Sequence, residues 1–206
     1  MIIRRDNEDT RKLAAQIVAN GGLIAFRTDT FYGLGADPLN AVAVAKIKQA
    51  KGREEGKPIL LLISSERDLE PLIELKPMML EKVVEKFWPG PLTIVMPAAL
   101  NLPAEITCNT GTVGLRLPAD EKARSLVEAC GGRLTATSAN PSGQEPATSA
   151  RQVRDYFPLG IDLIVDGGDV TATKPSTVID ISQDRAKLIR EGAVSKEELE
   201  LVLGKL

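Results

Sequence analysis

Short aliphatic runs, set one after another between segments of helical periodicity, restrict this chain to an α/β fold. GLIAF (22–26), PILLLIS (58–64), PLTIVMP (91–97), TVGLRLP (112–118), LTATSAN (134–140), IDLIVDGG (161–168), STVIDIS (176–182) and AKLIREG (186–192) are too short for buried helices and are bounded by Gly, Pro or Ser. Each therefore reads as a strand. Between them, Leu13, Ile17 and Val18 fall at helical spacing, which predicts a helix over 8–20 ended by Gly21–Gly22. Further helices are expected over 40–51, with Val44 and Ile47 inward, over 66–75, over 77–87, and over 120–130 before Gly131–Gly132. Thr148 is expected to cap a helix running to Tyr156, and Ser195 with Glu198 forms a capping box for the last one. Helices interleaved with strands make the fold α/β, and the consecutive strands near the C-terminus require a mixed sheet.

No repeat, low-complexity segment or charge block interrupts this pattern, so residues 1–206 read as a single domain large enough to bury a core. No run reaches membrane-spanning length, and the start MIIRRDNEDTRK turns charged too early for a signal peptide. The expectation is a soluble, cytoplasmic protein without a membrane partner. The net charge of −2 and a pI near 5.4 argue against coating nucleic acid as the main task, although a local basic cleft is compatible with them. The chain has no histidine. Its two cysteines, Cys108 and Cys130, have no metal-ligand spacing, so no protein metal site is expected and both read as reduced thiols. Any chemistry must run on Lys, Arg, hydroxyl and backbone groups.

Four segments collect such groups. RTDTFYGLGADP (27–38) packs Thr28, Asp29, Thr30 and Tyr32 into one turn, with Gly33 and Gly35 letting a ligand approach the backbone. A capped strand-to-helix loop would look similar. KGREEGKP (51–58) sets Lys51, Arg53 and Lys57 between a helix end and a buried strand, a cluster suited to a polyphosphate, although most charge runs are solvated loops. Arg116 stands in an apolar strand, where an unpaired guanidinium is costly. It either pairs with an internal acid such as Asp166 or Asp180, or reaches a ligand carboxylate. TATSANPSGQEPA (135–147) offers Ser138 and Asn140 at a strand end, as a ligand lip or as a simple Asx or Ser turn. Ser176 opens one late strand and Arg190 ends another; alone, each is unremarkable.

TDTFYGLG, the KGR…KP segment, FWPGPLT, TVGLRLP, TSAN, the IDLIVDGG and PSTVID pair and LIREG together resemble the YrdC-type family, the threonylcarbamoyl-AMP synthases. They occur in family order and cover nearly the whole chain. The resemblance implies a YrdC-like twisted mixed β-sheet, flanked by helices around a concave electropositive cavity. It implies a nucleotidyltransferase that makes threonylcarbamoyl-AMP and pyrophosphate from L-threonine, bicarbonate and ATP with Mg²⁺. A downstream threonylcarbamoyl transferase complex would use the product to modify an adenosine of tRNA. By the same resemblance Lys51, Arg53, Lys57 and Arg190 hold phosphates, and Thr112, Ser138, Asn140 and Pro146 surround the nucleotide. Arg116 clamps the threonine carboxylate, while Thr30, Ser176 and the backbone near Ala136 hold the rest of the amino acid. No catalytic general base is assigned. Some members carry a histidine on the strand after the KP pair; the matching position here is Leu62. The chain corresponds to the single-domain form of the family.

Alternative readings are the carbamoyl-transfer domain of hydrogenase maturation proteins, a paralogue without synthase activity, and a YrdC-like module whose main role is RNA binding. The first lacks its zinc-finger and acylphosphatase parts here, the intact Ser138–Asn140 pair weighs against the second, and the acidic pI and scarce aromatics allow the third only a weak RNA affinity.

Overall fold

The computed structural model describes residues 1–52 and 58–206. In chain order the elements are β1 (Ile2–Arg5), α1 (Glu8–Ala19), β2 (Ile24–Arg27), β3 (Tyr32–Gly35), α2 (Ala41–Lys51), β4 (Leu61–Ile63), α3 (Leu80–Phe87), β5 (Leu92–Pro97) and α4 (Ala104–Thr107). They continue with β6 (Thr112–Arg116), α5 (Glu121–Ala129), β7 (Arg133–Thr135), β8 (Thr137–Ser138), α6 (Ala150–Tyr156), β9 (Leu163–Asp166), β10 (Thr177–Asp180), β11 (Lys187–Arg190) and α7 (Lys196–Leu203). The class is α/β, as the alternating pattern requires, and the strands divide between two mixed sheets. One runs β1-β9-β2-β3-β8 and the other β11-β10-β5-β6-β4-β7.

The chain crosses from one sheet to the other within TATS. β7 pairs antiparallel with β4 in the second sheet, and two residues later β8 pairs antiparallel with β3 in the first. LTATSAN is therefore two strands broken at Ala136, not one. Fully buried Thr135 stitches the sheets at this point. Its hydroxyl accepts from the Ala36 N–H at 2.8 Å and donates to the Leu34 carbonyl at 3.3 Å. Its own N–H donates to the Ala36 carbonyl, and the next N–H, of Ala136, donates to Leu60.

Other boundaries depart from the periodicity. Residues 66–75 form only a short 3₁₀ turn over Glu66–Leu69. Beyond it Pro71 has no N–H to continue a helix, and the main chain instead pairs with the segment after β5, Glu74 donating to Pro97 and Ala99 to Leu72. The α3 helix begins at Leu80 rather than Pro77. The cap of α6 is Ser149, whose hydroxyl accepts from the Gln152 N–H, and Thr148 instead donates to the Gln152 side chain. The 27–38 segment is not a loop throughout, because Tyr32–Gly35 returns as β3 against β2. Strand β1 was hidden by its two arginines.

The helices pack by their apolar stripes. On one side α1 and α5 enclose Ala14, Val18, Phe26, Leu126, Leu134 and Leu163. The larger cluster lies under α2, α3 and α6, around Leu34, Ile47, Leu61, Trp88, Ile94 and Leu115. Capping fixes the helix starts: Asn7 accepts from the Thr10 N–H at 2.9 Å, and the Ser195–Glu198 box opens α7. Asp120 caps α5 and also holds Arg27, at the end of β2, at 2.6 Å.

Candidate active site

The ends of β2, β4, β6, β8 and β11 open onto a cavity of about 480 Å³ between the two sheets. Thr30, Arg116, Ala136, Ser138, Pro146, Ser176 and Arg190, read from separate segments of the sequence, all line it.

Arg116 closes β6 and is 5% exposed. Its Nε donates to the Gly90 carbonyl at 3.1 Å, its Nη1 to the Thr30 hydroxyl at 3.0 Å, and its Nη2 to Asp29. The acid that pairs with it is thus Asp29, three positions before β3 begins, and neither Asp166 nor Asp180. Asp166 accepts from Tyr32 and Gly168, and Asp180 accepts from Ser182. A guanidinium has five N–H donors. Three are engaged here, which leaves two for a ligand among the described residues. Burial pulls the Arg116 pKa down, the Asp29 charge opposes that, and the nearby Arg190 charge adds to it.

The Thr30 hydroxyl is itself oriented. The Thr28 hydroxyl donates its one proton to the Phe31 carbonyl at 2.7 Å, so in the 3.1 Å pair of the two threonines Thr30 is the donor. A directed chain runs from Arg116 through Thr30 and Thr28 to the backbone. Thr28 also accepts from the N–H groups of Thr30 and Phe31, which ties the turn.

Arg190 reaches back over the start of β10. Its Nη2 donates to the Ser176 carbonyl at 2.8 Å and to the Ser176 hydroxyl at 3.3 Å, and burial lowers its pKa. Ser176 is also 3.0 Å from the hydroxyl of fully buried Thr93. The turn after Arg190 can lie against this strand because residue 192 is glycine. A Cβ there would sit 2.3 Å from the Pro175 carbonyl oxygen and 2.8 Å from that of Ser176. The cavity lining thus carries two guanidiniums close enough to repel each other, and an anion bound beside them would relieve that repulsion.

Other expected residues stand elsewhere. Lys51 and Asn140 are absent from the lining and fold inward beneath the 138–146 loop, and the Asn140 amide donates to Pro141 and Gln144. Thr112 sits four residues from Arg116 on β6, about 13 Å away at strand rise, where its hydroxyl meets Thr110. Arg53 and Lys57 lie outside the described residues. Gly33 lines the cavity, but Gly35 serves the sheet: a Cβ there would meet the Phe26 ring at 2.8 Å. Leu62 lines the cavity, beside Arg116 in the parallel register of β4 and β6.

Thr93, Leu60, Phe31 and Glu145 also line the cavity and were not singled out from the sequence. Only Thr93 left a signal, a hydroxyl inside an apolar strand. Among the described residues there is no cluster of three or more His, Cys, Asp or Glu able to hold a metal ion, and Glu145 is the one acid of the lining. No described helix is long and apolar enough to cross a membrane. Both cysteines are free, and burial pushes the Cys130 thiol up to about 12.

Comparison with known proteins finds relatives in both sequence and fold. A threonylcarbamoyl-AMP synthase of Pyrococcus abyssi is 40% identical over 195 residues, covering 95% of this chain and 57% of the relative. One from Bacillus subtilis is 36% identical over 192 residues, covering 93% of this chain and 56% of the relative. The chain thus spans little more than half the length of these two relatives. The crystal structure of P. abyssi Sua5 complexed with L-threonine superposes with a TM-score of 0.92 at 40% identity, over 98% of this chain and 60% of that one. The profile of the Sua5/YciO/YrdC family, described as telomere recombination, matches residues 16–192. With fold and sequence in agreement, the chain belongs to the Sua5/YciO/YrdC family.

Proposed function

We propose that this chain is an L-threonylcarbamoyladenylate synthase, a nucleotidyltransferase that converts L-threonine, bicarbonate and ATP into threonylcarbamoyl-AMP and pyrophosphate. The observation that carries the reading is Arg116. It is aimed by Asp29, Thr30 and Gly90, with two N–H groups left for a carboxylate among the described residues, in a cavity that Arg190 also lines. The names of the relatives and the threonine bound in the Sua5 structure support the same choice of substrate.

In this reading the threonine carboxylate docks on Arg116 in bidentate fashion. Its side chain and amine lie against Thr30, Ser176 and the backbone near Ala136. Leu62 stands where some relatives have histidine, and offers the substrate methyl group an apolar neighbour instead of a hydrogen bond. Threonine's ammonium first gives up one proton, and the neutral amine then displaces water from bicarbonate to give the carbamate. A carbamate oxygen then attacks the α-phosphorus, and pyrophosphate leaves. Arg190 neutralises phosphate charge, and its bonds to Ser176 couple the nucleotide side of the cavity to the amino-acid side. Such a transfer needs alignment and charge neutralisation more than covalent work by the protein. Among the described residues no acidic cluster would hold Mg²⁺, so the phosphates of ATP would carry it and it would supply further neutralisation of their charge. Product passes to a threonylcarbamoyl transferase complex acting on tRNA.

The test is incubation with ATP, Mg²⁺, bicarbonate and each amino acid in turn. Pyrophosphate release should require both threonine and bicarbonate. Release that ignores threonine would refute the proposal, and tight, salt-dependent RNA binding without turnover would favour the RNA-binding alternative.

A further inference from the structure

Lys51, one of the four cations that the resemblance assigns to phosphate, bonds to the main chain of the 138–146 loop. Lys51 ends α2 and is 5% exposed. Its ammonium donates to the carbonyl of Ser138 and, at 2.7 Å, to that of Asn140. Its own carbonyl accepts from the Ser142 N–H at 2.9 Å. One residue thus fixes the backbone at 138, 140 and 142. Gly52, left-handed at φ 56°, caps α2 immediately afterwards, so the helix itself sets where Lys51 stands. The loop is then tied from within. The Asn140 amide donates to Pro141 at 2.9 Å and to Gln144 at 2.7 Å, and Gln144 closes a turn onto Pro141. What the loop delivers to the cavity wall is Ser138, Glu145 and Pro146. A buried ammonium needs acceptors, which the two loop carbonyls supply, and its place in the last turn of α2 suits a cation.

We propose that Lys51 is a positioning residue, which pins the 138–146 loop through its main-chain carbonyls and acts on the nucleotide through that loop rather than by touching phosphate. The identity of the ligand rests on the function proposed above; the pinning does not. The two roles differ in what they do to a ligand without phosphates. A phosphate contact affects ATP and leaves adenosine alone, whereas a loop that holds the nucleoside affects both alike.

The experiment measures adenosine and ATP binding by calorimetry, and amide hydrogen exchange, on the wild type and on Lys51→Met. Both affinities should fall by the same factor, about tenfold for the loss of a charged hydrogen bond. The non-proline amides of 139–145 should exchange faster while those of β5 do not. A loss confined to ATP, with exchange unchanged, would overturn the proposal. If Lys51→Met also accelerates β5, Ser142→Pro decides. Ser142 precedes Gly143, at φ 85°, in the 141–144 turn, the position a type II turn offers to proline, and the substitution removes the N–H given to Lys51 along with an exposed hydroxyl. It should speed loop exchange and weaken both ligands equally; unchanged exchange would overturn the pinning. If neither ligand binds the wild type, the nucleotide reading fails, and the exchange arms still decide the role of Lys51.

Discussion

Replacing Arg116 by lysine keeps the charge and changes only the number and geometry of the donors. Arginine has five N–H groups, of which Gly90, Thr30 and Asp29 take three. An ammonium has three in all. Satisfying the same three acceptors would leave none for a substrate carboxylate, and turning one to the substrate would orphan a buried acceptor. Two charge-assisted hydrogen bonds are worth about 1.5–3 kcal/mol each. Part of that is recovered by the retained charge, so a net loss of about 2–3 kcal/mol is expected. Threonine affinity should therefore fall by roughly 30- to 150-fold. ATP affinity should stay within about threefold, because Asp29 still sees a cation and the 138–146 loop is untouched. Calorimetric titration of L-threonine and of ATP into Arg116→Lys separates the two. Threonine affinity within about threefold of the wild type, or equal losses for both ligands, would refute the carboxylate clamp.

Gly192→Ala should lower both stability and turnover, because its Cβ would lie 2.3 Å from the Pro175 carbonyl oxygen and push the Ser176 backbone off Arg190. Overpacking of this kind costs about 1–3 kcal/mol, and an unchanged melting temperature would contradict the packing described. Thr135→Val keeps the shape and removes the hydroxyl between the sheets, leaving the Ala36 N–H without its partner. It should cost about 1–3 kcal/mol, or several degrees of Tm, and a neutral substitution would mean that the seam is held elsewhere. Burial keeps the Cys130 thiol protonated, with its pKa pushed up to about 12. At pH 8.5 its alkylation by iodoacetamide should be roughly a thousandfold slower in the native than in the unfolded protein, and equal rates would contradict the burial.

The sequence already carried most of the fold, because strand runs and helical stripes follow local rules. GLIAF, PLTIVMP and TVGLRLP needed no partner to declare themselves. Strand β3 did not, because YGLG has no β-branched side chain and half of it is glycine; its glycine at 35 makes sense only beside the Phe26 ring. The break at Ala136 was equally silent, since nothing local distinguishes a strand that changes sheets from one that continues. At the site, Arg116 was legible as a charge in an apolar run, but its acid was not. Asp29 lies 87 residues away, and only the return of β3 brings it there. Lys51 shows the converse. Its position in a cationic cluster suggested a ligand, while its bonds to Ser138 and Asn140 are long-range contacts that no spacing announces.

The central claim is that this chain joins a threonine-derived carbamate to the adenylyl group of ATP. Its most direct test supplies bicarbonate labelled with carbon-14 and ATP labelled at the α-phosphate, with unlabelled threonine, and separates the products rapidly. Both labels should travel together in a single compound, formed with one pyrophosphate and absent when threonine is withheld. An adenylate carrying the phosphate label without the carbon label, or no adenylate at all, would contradict it.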